Sequence, residues 1–340
     1  MNHDDSLILP LAVFVIAAAV IAVLGVRLSN RADRFADRTG LGEAVIGAVI
    51  LGGMTSLPGT VAAATFALDG RAAFAISAAL GGIAVQTAFL AIADAVYWRA
   101  NLEHAAASLA NLLFGALLVA LLAIVLMGMV TPDLAVGHVH PASILLIVAY
   151  VGGLRWVHEA CKEPMWHPRL TGETREDVPD EHSRREPLGP LALDMFLTGA
   201  AVAVAGWAIA WSADRTAAIT ELGDSLLGGT MVAISTSLPE LVTTVAAVRQ
   251  GALTLAVGGI LGGNTFDTLF VTLADAAYLK GPILADVTAR ETQLVAMSIL
   301  MTSVLLLGLM RRQRTGPGNI GAETVLLVVL YAIVVLLLGA

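Results

Sequence analysis

Apolar runs of about 20 residues or more, each closed by a short polar break, follow one another along the whole chain, and a helix needs about that length to cross 30 Å of hydrocarbon. On this measure ten spans are predicted, near residues 6–27, 41–67, 71–96, 105–129, 141–157, 188–212, 216–248, 251–278, 286–310 and 319–340. The second and seventh are long for one crossing and contain Pro58 and Pro239, so tilt or a kink is expected in both. The first run follows a stretch without Lys or Arg and is expected to stay as a spanning helix rather than be cleaved as a signal. The predicted fold class is an all-α membrane protein.

Composition agrees with the pattern: hydrophobic residues make up 57% of the chain and charged residues 14%, and the mean hydropathy is +0.83. In a chain of this class the net charge of -8 is uninformative about nucleic acid, and no nucleic-acid partner is expected. The environment is the lipid bilayer. A single cysteine, Cys161, excludes an intramolecular disulfide.

Basic residues set the orientation, because Lys and Arg stay on the cytoplasmic side. Of the 19 present, all but Arg71, Arg215, Lys280 and Arg290 fall around the gaps after spans one, three, five, seven and nine. Both termini are therefore expected outside the cytoplasm and the polar segment 158–187 inside it, in a multi-pass protein of the inner cell membrane. That segment holds His158, His167 and His182 near Cys161, but no metal-ligand spacing, and reads as a solvated linker.

The chain also repeats itself. Residues 41–97 align without a gap on 222–278: TSLP at Thr55–Pro58 meets TSLP at Thr236–Pro239, Gly70 meets Gly251, and ADAVY at Ala93–Tyr97 meets ADAAY at Ala274–Tyr278. Each unit holds five spans, an odd number, so the copies enter the membrane upside down relative to each other. The expected organisation is a first half at 1–157, a cytoplasmic loop at 158–187 and a second half at 188–340, two inverted five-helix repeats with a site where they meet at the midplane.

The chemistry concentrates in the second copy. A carboxylate at the centre of a spanning helix costs on the order of 3 kcal/mol, so Glu240 and Asp267 are candidate functional groups. Pro239 removes the amide that would bond the carbonyl of Ser235. Thr236 and Ser237 share a helical face with Glu240, and Gly263, Asn264 and Asp267 share another. Oxygen sets of this kind suit hard cations.

These motifs, TSLPE followed about two dozen residues later by GGNTFD in two related copies, resemble the alpha repeats of the sodium/calcium exchangers of the calcium/cation antiporter superfamily. The resemblance implies alternating access, calcium and sodium as transported ions, no prosthetic group, and Ala233, Thr236, Ser237, Glu240, Gly263, Asn264 and Asp267 as ligands. The first copy departs from the pattern: Gly59 stands where the other glutamate is expected, leaving Thr55, Ser56 and Gln86 as neutral ligands and one formal charge fewer. Two neighbouring carboxylates in low dielectric are also relieved by a shared proton, so proton-coupled or sodium-selective exchange is a rival reading, and a non-transporting cation-binding membrane protein is another. Oligomeric state stays open.

Other charges have plainer roles. Glu43 and Asp224 open spans two and seven, where an acid complements the helix dipole. Asp94 and Asp275 fall at helix C-terminal ends, which the dipole disfavours, so solvation or a basic partner is expected. Asp194 either snorkels or lines an entry path, and Glu291 with Arg290 reads as an interfacial pair.

Overall fold

The computed structural model describes residues 7–41, 43–131, 134–174, 186–220, 227–316 and 320–339. Asp224, His182 and the basic residues Arg175, Arg184 and Arg185 lie outside the described residues. The protein is a bundle of α-helices. α1 is Ile8–Thr39, α2 Glu43–Thr55, α3 Leu57–Leu68, α4 Ala72–Val96, α5 Leu109–Val130 and α6 Pro141–Lys162. In the second half α7 is Leu188–Thr220, α8 Thr230–Thr236, α9 Leu238–Gln250, α10 Leu253–Ala277, α11 Ala289–Arg311 and α12 Ala322–Gly339.

Among the described residues six helices are long and apolar enough to cross a membrane, and the pairs α2–α3 and α8–α9 qualify if each is one bent span. The bend is 47° in both pairs. Pro58 and Pro239 sit in the first turn after each bend, where a missing N–H is tolerated. The other two expected spans coincide with α10, 25 residues long, and α12, 18 residues long. α1 and α6 run past their expected ends, so Arg31, Arg34 and Arg38, and also His158 and Cys161, are helical rather than in loops.

Burial sorts the helices into a core and a periphery. Only 22% of the most apolar stretch of α1 and 17% of that of α6 is buried, against 83% for α4. α4 and α10 are therefore central, and the bent pairs pack against them through glycines. A Cβ at Gly52 would lie 2.7 Å from the Cα of Gly263, and one at Gly262 would overlap Ala48. Just before each bend the helix widens into a π-turn, at Gly47–Leu51 and Leu227–Val232.

Polar contacts between segments fall into two groups. The segments after α4, α6 and α11 meet where His104 Nε2 contacts Thr171 Oγ1 at 2.7 Å and Asn101 Nδ2 donates to the carbonyl of Gln313 at 2.9 Å. Those before α4 and after α5 and α10 meet elsewhere, where Lys280 Nζ donates to the carbonyl of Gly70 at 3.4 Å and His138 contacts the carbonyl of Ala276 at 3.1 Å. A helix of 25 residues, α4, separates the groups, and at 1.5 Å per residue that is roughly 37 Å. Helices α1 and α7 run antiparallel, with Ser212 Oγ donating to the carbonyl of Pro10 at one end and Asp194 pairing with Arg27 and Arg31 towards the other.

Several expectations for single acids are corrected. Asp94 and Asp275 have no basic partner among the described residues; both are fully buried and accept hydrogen bonds from backbone amides at the start of other helices. Asp94 accepts from Leu102 N at 2.7 Å and Gly321 N at 2.9 Å, and Asp275 from Ile283 N and His140 N, both at 2.7 Å. The four amides correspond under the sequence repeat, and in each case one belongs to the opposite half. Glu43 stands in the first turn of α2, as expected, and in addition caps α10, accepting from Leu255 N at 3.0 Å. Glu291 is buried in a capping box with Thr288 and accepts from Ser77 Oγ at 2.7 Å, so its role is internal rather than an exposed pair with Arg290. Asp194 is held by the two α1 arginines.

Candidate cation site

The two bends lie side by side at the middle of the bundle, where each bent pair crosses the central helix of the other half. Ser56 and Ser237 occupy the bends, Glu240 the first turn of α9, Gln86 and Asp267 the middles of α4 and α10. Ser56 Oγ donates to Glu240 Oε1 at 3.3 Å. Gln86 Nε2 donates to Asp267 Oδ2 at 2.8 Å and to Ser237 Oγ at 3.2 Å. Neither carboxylate has an ion-pair partner among the described residues.

A cavity of about 10 Å³, room for the centre of one water-sized particle, lies between them. Of the ten residues singled out from the sequence, Ser56, Gln86, Thr236, Ser237, Glu240 and Asp267 line it. Thr55, Ala233, Gly263 and Asn264 stand just behind. Thr55 Oγ1 donates to the carbonyls of Leu51 and Gly52, both at 3.1 Å. The Ala233 carbonyl accepts from Ser237 N at 3.1 Å and from Thr236 Oγ1 at 3.2 Å. Gly263 is the close-packing partner of Gly52. Asn264 donates to Thr87 Oγ1 at 2.9 Å and to the carbonyl of Ile83 at 3.3 Å, tying α10 to α4.

The electrostatics leave a gap that protein atoms do not fill. Gln86 Oε1, Glu240 Oε2, Asn264 Oδ1 and Asp267 Oδ1 are all buried without a donor among the described residues. An unpaired buried oxygen costs about 1–3 kcal/mol, more when charged, so the grouping of the Gln86, Glu240 and Asp267 oxygens at one cavity, with Asn264 behind it, fits an oxygen-coordinated cation as the missing partner. The donor set is two carboxylates and neutral oxygens. No three His, Cys, Asp or Glu side chains converge as metal ligands among the described residues. The cavity wall also includes Gly59, Ala78, Ala79, Gly82 and Phe270, none of which the sequence marks as a site residue. The nearest signal was the missing glutamate at Gly59.

Comparison with known proteins points the same way. The family model described as sodium/calcium exchanger protein matches twice, over residues 9–157 and 191–339. The chain is 36% identical over 102 residues to the inner membrane protein YrbG of Escherichia coli (strain K12), a match covering 30% of this chain and 29% of that protein. It is 38% identical over 79 residues to the sodium/calcium exchanger MaX1 of Methanosarcina acetivorans, covering 22% of this chain and 23% of that one. The chain thus matches less than a third of the length of either relative. Among solved structures, the sodium-calcium exchanger NCX_Mj soaked with 2.5 mM Na+ and 10 mM Sr2+ superposes with a TM-score of 0.69 at 21% identity, covering 96% of this chain and 98% of that one. At that identity the likeness speaks for the fold.

Proposed function

Since the chain belongs to the sodium/calcium exchanger protein family, with the family model covering both halves, we propose that it is a secondary cation antiporter. It is an integral membrane protein and not an enzyme. Its transport site is the cavity between Glu240 and Asp267, and its ions are calcium and sodium taken in alternation. The observation that carries this reading is the set of three unpaired buried oxygens, on Gln86, Glu240 and Asp267, whose residues line one ion-sized cavity. A scaffold without cargo gains nothing from keeping two carboxylates without a counter-charge at that depth.

Ten crossings as two inverted five-helix units fit the arrangement. The antiparallel course of α1 and α7 is what inversion of the halves requires, and the matching Asp94 and Asp275 junctions obey the same relation. On this topology the contacts of Arg312 and Arg314 with the segment 169–174 face the cytoplasm of the inner membrane, and both termini lie outside. Arg71, on the other side, stacks 3.9 Å from the Phe74 ring centroid and pairs with Asp214 at 3.5 Å, which softens its exception to the charge rule. Alternating access is a rocking of the peripheral helices about the central ones, exposing the cavity to each side in turn.

The test is isotopic calcium uptake into proteoliposomes loaded with sodium, against vesicles without a sodium gradient, with Glu240→Gln as control. Uptake that follows the gradient and is lost in the variant is the expected result. Calcium exclusion combined with sodium flux driven by a pH gradient makes the proton the coupling ion. No gradient-driven flux of any cation overturns transport.

A further inference from the structure

Position 59 is where the first half has no carboxylate to match Glu240, and the space is not vacant. A Cβ at Gly59 would lie 2.9 Å from Phe270 Cε2 and 3.6 Å from Cδ2, so the ring of a helix from the other half occupies the volume a side chain would need. Phe270 is 4% exposed and packs on Ala63 and Ala79, both buried. Phe266 braces it edge-on, with centroids 6.0 Å apart and planes at 88°. Retreat is closed on these sides. The ring and Gly59 both belong to the wall of the cavity between Glu240 and Asp267.

An apolar wall therefore stands in the place of a ligand, and the cavity carries formal charge only from Glu240 and Asp267. Positive charge closed off from water beyond what the carboxylates offset costs several kcal/mol, so the number of carboxylates sets a ceiling on the cation load. We infer that Phe270 is a specificity-determining residue of the transport site: seated against Gly59, it keeps a third carboxylate out and caps the cation load at two positive charges, so that exchange of a divalent ion for monovalent ones moves no net charge. The inference rests on the transport reading of this cavity. A third carboxylate would admit a third charge on one leg of the cycle and make exchange against a divalent ion electrogenic.

Voltage reads the difference. Each net charge moved across 100 mV is worth about 2.3 kcal/mol, which is about a 50-fold change in the accumulation ratio. The experiment takes the sodium- or proton-driven flux described above and repeats it with the membrane potential clamped at zero and at about 100 mV of either sign by potassium and valinomycin. The full wild-type chain is expected to change its accumulation ratio by less than about twofold. Glu240-dependent flux with a ratio that shifts by tens of fold overturns this inference and leaves transport standing. Absence of any Glu240-dependent flux overturns both. The variant Gly59→Glu with Phe270→Ala makes room for a carboxylate and is expected to acquire voltage dependence; a double variant that carries flux without it also overturns the assignment to Phe270. Should that variant fail to fold, the wild-type measurement decides alone.

Discussion

In the second half the bent helix brings Glu240 to the cavity and the central helix brings Asp267; at the matching positions the first half brings Gly59, covered by the Phe270 ring, and Gln86, whose amide donates to Asp267. The backbone course of the two halves is nevertheless the same. Both bends are 47°, and Gly70 and Gly251 turn at φ 75° and 89°. Asp94 and Asp275 secure corresponding amides. The features that fold the chain are thus present twice and those that charge the site once. Bends, left-handed turns and buried caps are demands of geometry that each half meets separately, whereas a cation needs only the sum of ligands that reach the shared cavity.

The largest test of that comparison removes the charge that distinguishes the halves. With Glu240→Gln both bends are neutral. A carboxylate about 4 Å from an ion contributes on the order of 4 kcal/mol at an effective dielectric near 20, so cation affinity is expected to fall about a thousand-fold, measured by flux or equilibrium binding. Gln is nearly isosteric, so thermal stability is expected to hold or rise. A large loss of stability instead would mean that Glu240 serves packing.

Next in size are the caps, where both halves should lose stability but by different amounts. Asp275→Ala strips the acceptor from Ile283 N, His140 N and Ser143 Oγ. Three buried donors left unpaired are expected to cost about 4 kcal/mol of stability in detergent. Asp94→Ala orphans two amides and also relieves the repulsion that Asp94 exerts on Glu103, so about half that cost is expected. Near-equal flux per folded molecule in both variants would place the caps in folding alone.

How far the sequence showed all this depends on whether the determinant is local. Pro58 and Pro239 mark the bends because a proline acts on its own turn, and carboxylates in apolar runs stand out wherever they are. The partners of Asp94 and Asp275 stand out less: the Gly321 amide is 227 residues from Asp94 and the His140 amide 135 from Asp275. A dipole argument restricted to one helix therefore sought a cation that neither needs. The π-turns at Gly47–Leu51 and Leu227–Val232 are invisible for the same reason, since the first is fitted to close backbone contact between Gly47 and α10. Phe270 gives no signal at all. A phenylalanine in an apolar helix reads as lipid-facing or core until the space above Gly59 is seen.

A smaller effect separates the two junctions themselves. At the Asp94 junction the chain carries Glu103, whereas its counterpart at the Asp275 junction is the buried Leu284. Burial, followed by repulsion from Asp94, raises the Glu103 carboxyl from 4.5 to about 7. Between pH 4.5 and about 7 the unfolded chain releases this proton while the folded chain keeps it, so stability falls as pH rises through that window and is level beyond it. The full difference is about 3 kcal/mol. Glu103→Gln should therefore unfold at a higher temperature than wild type at pH 8 and at the same temperature near pH 4.5. A variant advantage independent of pH would mean that Glu103 is not the titrating group.

The smallest effect reads the two TSL segments against each other. Thr55 and Thr236 share the bonds of their turns, each hydroxyl donating to two carbonyls of its own preceding turn at 3.0–3.2 Å, and the Thr55 hydroxyl also interacts with the Glu240 carboxylate. Only Thr236 lines the cavity. Valine keeps the shape and the χ1 restriction of threonine and removes the oxygen. Thr236→Val should then weaken cation affinity by a few-fold, as expected for one neutral ligand contributing about 1 kcal/mol, while Thr55→Val, which reaches the ion only through Glu240, shifts the half-saturating concentration less. Equal shifts in the two variants would put Thr55 in reach of the ion and make the site more symmetric than Gly59 and Phe270 imply. A shift in neither would confine both hydroxyls to tying down the turn before the bend.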